Sequence, residues 1–450
     1  MLVFLQKKYP KEKLKKYFQM QINTFYKVAK YRLFNICRSI TGDGVRKTLN
    51  IYKEFFPDLK IRKIPCGKKV FDWVIPPEWN IKDAYVIDKN GKKIIEFKKN
   101  NLHIVNYSIP INKLISKQKF LNHIHSLPKQ PDAIPYVTSY YKKNWGFCIT
   151  DEQKKKIIKF YNNKDKFKVV IKSKFKNNGN LNYGEILIKG KSKKEILIST
   201  YICHPSMANN ELSGSIVALS LISHFKRKRI NKSLRFIFIP ETIGSVAYIS
   251  TNFKKLKKFT IGGYNLSCIG DEKSYSCILS KYQNSIIDNA LIESYKKLKI
   301  RYKKYSFLQR GSDERQFNSP GVDIPVATIC RSKFFEYPEY HTSLDNFNIV
   351  TLKGLRGGFS VVKKAINILQ KKIIPDSRIL CEPKLSKRGL HHDLSIKSNY
   401  GYKSMRKNLL SFIQYSDGKN DIEDIQKLLK ISKKETLKLF FICKKNNLLK

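Results

Sequence analysis

The feature that most constrains this chain is a rhythm between residues 192 and 330. Apolar runs (EILISTYIC, LRFIFIP, FTIGGYNLSCIG and IPVATIC) alternate with helical spacing, as in the helix expected over 212–226. Runs that are apolar along almost their whole length read as buried strands. Buried strands interleaved with helices predict an α/β domain around a mostly parallel sheet. KFKVVIKSKF and GEILIKG read as further strands of that domain, which is placed at 151–380.

The flanking segments have other textures. Residues 11–56 carry apolar positions at helical spacing, so 1–60 is expected to be a helical N-terminal segment. From 61 to 150, short β-branched and aromatic runs are broken by Pro, KNGK and KNN, which predicts a small β-rich module. Residues 385–450 read as three short helices, a module of winged-helix size.

Composition narrows the function classes. At 450 residues with 42% apolar content, the chain can bury more than one core. Nine cysteines without a CxxC pair or framework spacing, no signal peptide, and no apolar stretch near 18 residues read as a reduced, soluble, cytoplasmic protein. The net charge of +54 suits an acidic partner such as nucleic acid. Lysine, however, outnumbers arginine roughly fivefold and is spread along the chain, as a coding bias toward AT-rich codons would give. The last predicted helix, KKETLKLFFICKKNNLL, has no Arg, Asn or Gln in its first two turns, so sequence-specific DNA reading is not expected.

Open α/β sheets bind ligands beyond the C-terminal ends of their strands. CHPSMANNELSG places His204, Asn210 and Glu211 there, PETIGS places Glu241, and EYPEYHTSLDN places Tyr340 and His341. RGSDERQFNSPGVDIP adds Asp313, Glu314 and Arg315 just before a strand. Each patch alone reads as an ordinary polar loop. Together, two histidines and several carboxylates suit a hydrolytic zinc site, which needs N and O ligands, an open position and a nearby base.

The order His, ANNELSG, Glu, SDERQF…PGVDIP, YHTSLD resembles the M28-type zinc aminopeptidases. With KVFDWVIPPEWNI, NLHIVNYSIPIN, QPDAIPYVTSYYKKNWGFC and CEPKLSKRGL, it more closely resembles bacterial aminopeptidase-like proteins of the DUF4910 (formerly DUF2172) family. That resemblance implies an M28-like catalytic domain, an inserted small β domain and a C-terminal winged helix. It matches His204 and His341 to metal-binding histidines and Glu241 to the general base. The bridging carboxylate of the M28 pattern falls on Asn210, with Glu211 beside it. The second glutamate falls on Thr242, and the strand aspartate falls on Ser267, with Asp271 four residues on. Asn210, Glu211 and Asp271 are therefore the remaining candidate ligands, and a single Zn²⁺ is expected.

The resulting expectation is a zinc-dependent aminopeptidase-like hydrolase that cleaves an amide bond. Glu241, with Asp313 or Glu314, would serve catalysis, and Arg315 and Tyr340 would bind a peptide or other amide-bearing small substrate. Two alternatives remain: an amide hydrolase acting on a sugar or polysaccharide precursor, and a catalytically retired DNA-binding or scaffold protein. A homo-oligomer is compatible with either class.

Overall fold

A computed structural model describes residues 21–390 and 405–450. Its centre is an eight-stranded sheet whose strands we number within that sheet: β1 Lys60–Pro65, β2 Asn180–Ile188, β3 Ser192–Tyr201, β4 Lys232–Ile239, β5 Thr260–Leu266, β6 Ser276–Ile278, β7 Lys303–Tyr305 and β8 Val326–Cys330. The spatial order is β1-β2-β4-β3-β5-β8-β6-β7. The middle strands β4, β3, β5 and β8 are mutually parallel, and antiparallel pairings appear towards the edges. The four strands read from apolar runs are these four parallel ones.

Those strands are covered on both faces. Ile196 and Ile198 of β3, with Leu234, Phe236 and Phe238 of β4, join one core cluster. The alternate residues Leu197, Ile237 and Ile239 join another on the opposite face. The period of two thus survives inside runs that look uniformly apolar, because both faces are dry. Helix Ser213–Phe225 follows β3 and is buried almost all round. It approaches the sheet so closely that a Cβ on Gly214 would lie 2.3 Å from Thr200 Oγ1 and 2.6 Å from the Leu266 carbonyl. The Ser-Gly pair is therefore a packing requirement of the site's main helix.

The structure moves two boundaries. β1 was expected to open the inserted domain, but it pairs with β2 in the large sheet. The run KFKVVIKSKF was expected in the catalytic domain. It instead forms Lys166–Lys176, the strand between Glu78–Ile87 and Ile111–Ser116 in a separate four-stranded antiparallel sheet that also holds Lys93–Glu96. The β-rich sheet thus takes a strand from beyond residue 150.

Of the expected N-terminal helical tract, residues 21–28 are helical and continue into a π-helical turn, Ala29–Leu33. A second helix covers Asp43–Phe55, and residues 11–20 lie outside the described residues. The C-terminal module has the three expected helices, Met405–Gln414, Ile422–Leu429 and Lys433–Lys445. They close on a core of their own that includes Phe412, Ile425 and Leu439. Lys194 pairs with Asp376 at 3.1 Å and Lys372 with Asp421 at 2.9 Å. Among the described residues, no helix is long and apolar enough to cross a membrane.

Candidate metal centre

β3 ends at Tyr201, and His204 stands three residues beyond it, 4% exposed. Its Nδ1 lies 3.1 Å from Glu211 Oε2. An ionised carboxylate can only accept, so Nδ1 carries the hydrogen in this contact and the lone pair of the neutral ring is left on Nε2. That Nε2 faces Glu241 Oε2 at 3.7 Å. The ring of His341 stands 5.3 Å from the ring of His204, centroid to centroid. Tyr340 stacks flat on His341 at 3.9 Å, and the Tyr136 N–H donates to the His341 carbonyl at 2.8 Å. His341 adopts a φ of 56° and its Nε2 is buried without a hydrogen-bond partner.

The electrostatics suit a cation between these groups. Burial opposes charge on His204, but Cys203, Glu211 and Glu241 together raise its pKa well above the ordinary histidine value. Burial, reinforced by His204, lowers His341 to about 3, which keeps it in the neutral form a metal ligand requires. Glu241 has a raised pKa because it is buried, with His204, Ser312 and Arg315 working in the opposite direction. Its side chain keeps 22% of its surface exposed against 5% for His204, so the carboxylate lies on the open side of the centre.

Glu241 sits two residues past the end of β4 on a distorted turn. Ser312 Oγ donates to its Oε1 at 2.6 Å, and the Glu241 N–H donates to Cys203 Sγ at 3.2 Å. The next residue, Thr242, has φ 63° and ψ −79°, a strained conformation for a β-branched side chain. Asp313 Oδ1 holds that turn by accepting the Thr242 N–H and the Ser245 hydroxyl, both at 2.8 Å. Its Oδ2 is buried without a partner, and burial together with Glu241 raises Asp313 to about 8. Arg315 Nη2 donates to Thr242 Oγ1. Both Asp313 and Arg315 therefore reach Glu241 through the turn that carries it.

Other predicted site residues are placed elsewhere. Glu314 accepts from the Gly311 and Ser312 N–H groups at 2.8 and 3.1 Å and from Thr328 Oγ1 at 2.8 Å, so it clasps its loop to β8. Asp271 is occupied by Asn209, Lys273 N–H and Ser332, at 2.8–3.0 Å. Asn210 Oδ1 accepts from Tyr201 OH at 3.0 Å, and that hydroxyl also contacts Ser267 Oγ at 2.7 Å. Two of the positions where the M28 pattern puts further carboxylates, Asn210 and Ser267, thus join a neutral hydroxyl and amide network, and the third, Thr242, takes a hydrogen bond from Arg315. Glu211 lies behind His204, and its donor atoms with those of Cys203 and His204 fall within 4.8 Å of one another.

Sequence reasoning missed Arg38, which contacts both Glu211 and the His204 carbonyl, and Ser312, which holds Glu241. Arg38 carries no local signal, because its partners are 166 and 173 residues away. Ser312 was legible only as the neighbour of Asp313.

The donor set fits a zinc ion. His204 Nε2 faces a carboxylate, the His341 ring stands 5.3 Å from the His204 ring with a buried and unpartnered nitrogen, and N/O donors with an open position are what catalytic zinc takes.

The likenesses to known proteins agree with this architecture. Residues 26–372 match DUF4910, a domain of unknown function, and residues 373–450 match a winged helix-turn-helix family, so the C-terminal unit begins before the predicted 385. A Clostridium acetobutylicum protein is 38% identical over 418 residues, covering 92% of this chain and 94% of its own length. It is provisionally named a polysaccharide biosynthesis protein with an aminopeptidase-like domain. A crystal structure of a provisionally named peptidase from the same organism superimposes with a TM-score of 0.76 at 35% identity, over 98% of this chain and 99% of that one. The zinc aminopeptidase BSAP of Bacillus subtilis shares the fold at a TM-score of 0.60 and 15% identity, covering 79% of this chain and 95% of its own. With a family match over most of its length and an M28-like aminopeptidase fold, the chain belongs to the DUF4910 family and adds a C-terminal winged helix-turn-helix.

Proposed function

We propose that the protein is a metal-dependent amide hydrolase of the aminopeptidase-like class, with one zinc ion held by His204 and His341 and Glu241 as the general base. The observation that carries this reading is that His204 Nε2 faces Glu241 Oε2 at 3.7 Å beyond the ends of the neighbouring strands β3 and β4, with the ring of His341 5.3 Å from that of His204 and its Nε2 buried without a partner. When bound, the ion supplies Lewis acidity toward a carbonyl oxygen and acidifies water. The chain's own part is to move a proton. Glu241 Oε2 takes it from the attacking water and returns it to the leaving nitrogen, and a raised carboxylate pKa suits both transfers. Ser312 and the Asp313-held turn keep that oxygen aimed, and stacking on Tyr340 fixes the His341 ring. The neutral Tyr201–Asn210–Ser267 network supports one ion rather than two.

Peptide substrates are the first reading because the fold is that of aminopeptidases. The name of the Clostridium relative favours a second, an amide on a sugar or polysaccharide precursor. Zinc analysis of the purified protein followed by parallel assay on aminoacyl anilides and N-acetylated amino sugars tests both. Turnover of the anilides supports the peptidase, turnover of the sugars supports the second reading, and zinc-loaded protein inert on both classes counts against either. The C-terminal helix Lys433–Lys445 turns Thr436, Leu439 and Cys443 into its module's interior, which supports a role in contacts within the protein.

A further inference from the structure

We infer that Arg38 and Glu211 form a positioning pair that sets the tautomer and the aim of His204, an inference that rests on the zinc site proposed above. Glu211 then orients a ligand and is not itself one. Both of its oxygens accept hydrogen bonds. Oε1 accepts from Arg38 Nε, while Oε2 accepts from the Cys203 N–H at 2.9 Å, the His204 N–H, and His204 Nδ1 at 3.1 Å. Each carboxylate oxygen offers two lone pairs, so the three donors on Oε2 saturate the oxygen that meets the His204 ring, and the lone pair left on Oε1 belongs to the oxygen held by Arg38. This occupancy outweighs the mere proximity of Cys203, His204 and Glu211 as evidence for a three-residue metal cluster.

Arg38 makes the arrangement possible in a dry site. The side chains of both partners are fully buried, where a lone carboxylate would be costly. The same guanidinium donates to the His204 carbonyl at 2.9 Å and, through Nη1, to the Leu33 carbonyl at 2.6 Å. It therefore ties the loop carrying the ligand to the N-terminal π-helical turn, and Asn106 of the inserted module donates to the Arg38 carbonyl at 3.2 Å. The ligand's backbone and its ring are thus held by one ion pair. A ligating histidine whose second nitrogen donates to a carboxylate is fixed in orientation and made more basic, and loss of such a partner typically weakens metal binding by about 10–100-fold.

The test compares wild type, Glu211→Gln and the double variant Arg38→Met/Glu211→Gln, which leaves no uncompensated buried charge. Zinc affinity is measured by competition with a chelator, the cobalt-substituted absorption spectrum is recorded, and ring ¹⁵N NMR reads the His204 tautomer at a pH that keeps the ring neutral. Glu211→Gln is expected to weaken zinc about 10–100-fold, alter the cobalt spectrum and lose the pure Nδ1–H tautomer. The double variant should fold yet remain as weak, since restored charge balance does not restore the carboxylate, and it carries the test alone if the single variant does not fold. Wild-type affinity in the double variant, or an unchanged tautomer in either variant, would overturn the inference. Wild-type protein that binds no zinc would instead refute the hydrolase reading, with the tautomer comparison still deciding the role of the pair.

Discussion

Two buried ionic clusters share strand β4. In its middle, Arg235 donates Nε and Nη2 to the two oxygens of Glu195 at 2.6 and 2.7 Å, and Nη1 to Glu185 at 2.9 Å. Each of these charges has a fitted partner, and the cluster ties together β2, β3 and β4. Two residues past the end of the same strand, the cluster around Glu241 is built differently. His341 Nε2 and Asp313 Oδ2 are buried without partners, and His204 Nε2 meets Glu241 only at 3.7 Å. Buried charge that is fully paired holds a sheet together. Buried polar atoms left without partners beside the Glu241 carboxylate are what a bound ligand would satisfy.

That contrast can be broken by substitution. His204→Ala should remove most of the bound zinc and with it hydrolysis, leaving the melting temperature of the metal-free protein close to wild type. Full zinc occupancy in this variant, by elemental analysis, would erase the distinction. Arg235→Ala should do the reverse, costing about 3–5 kcal/mol in denaturant unfolding because Glu195 stays buried without its cation, while Glu185 keeps only Arg62 at 3.2 Å. Zinc per folded molecule should not change.

Asn210→Asp sharpens the comparison from the neutral side of the centre. A carboxylate there joins Asp345, which already accepts the Asn210 N–H at 3.0 Å, and is expected to cost about 1–3 kcal/mol. One equivalent of zinc should remain, and two would mean that the network was a single carboxylate short of a second site. The smallest effect concerns another paired group. Burial raises the Glu78 pKa, but hydrogen bonds from Arg46, Asn180 and Asn80 outweigh it and lower the group from 4.5 to about 2. Its folded pKa is depressed, so its contribution is present above the unfolded value and lost as pH falls from about 4.5 toward 2. Allowing for solvent screening, Glu78→Gln should remove about 1 kcal/mol of pH-dependent stability across that window, read from acid unfolding curves.

The contrast also explains what could be read in advance. The parallel centre of the sheet was legible because a strand dry on both faces writes an apolar run, and Ser213-Gly214 announced the helix that follows β3. The strand Lys166–Lys176 was misassigned because a β-branched run names a strand and not its neighbours, and its partners Glu78–Ile87 and Ile111–Ser116 lie far back in the chain. His204 and Glu241 were readable as residues leaving the ends of β3 and β4, whereas His341 was expected at a strand end and stands in the long loop after β8. Whether a carboxylate faces inward or is consumed by its own loop was not, since that depends on donors such as the Gly311 N–H for Glu314 and Ser332 for Asp271. Arg38 was hidden for the same reason: a single arginine in a loop between two helical segments declares nothing about a glutamate brought to it by folding.

The central claim is that His204 and His341 hold the metal while Glu241 moves the proton. Glu241→Gln separates the two roles, because it keeps the side chain's size and its hydrogen bond from Ser312 but removes its basicity. Zinc stoichiometry and turnover should be measured on the same preparations of wild type and this variant, using whichever amide substrate the wild type accepts. The account predicts one equivalent of zinc in both proteins and turnover lower by about 100-fold or more in the variant. A variant that loses its zinc, or one that keeps both zinc and wild-type turnover, would contradict it.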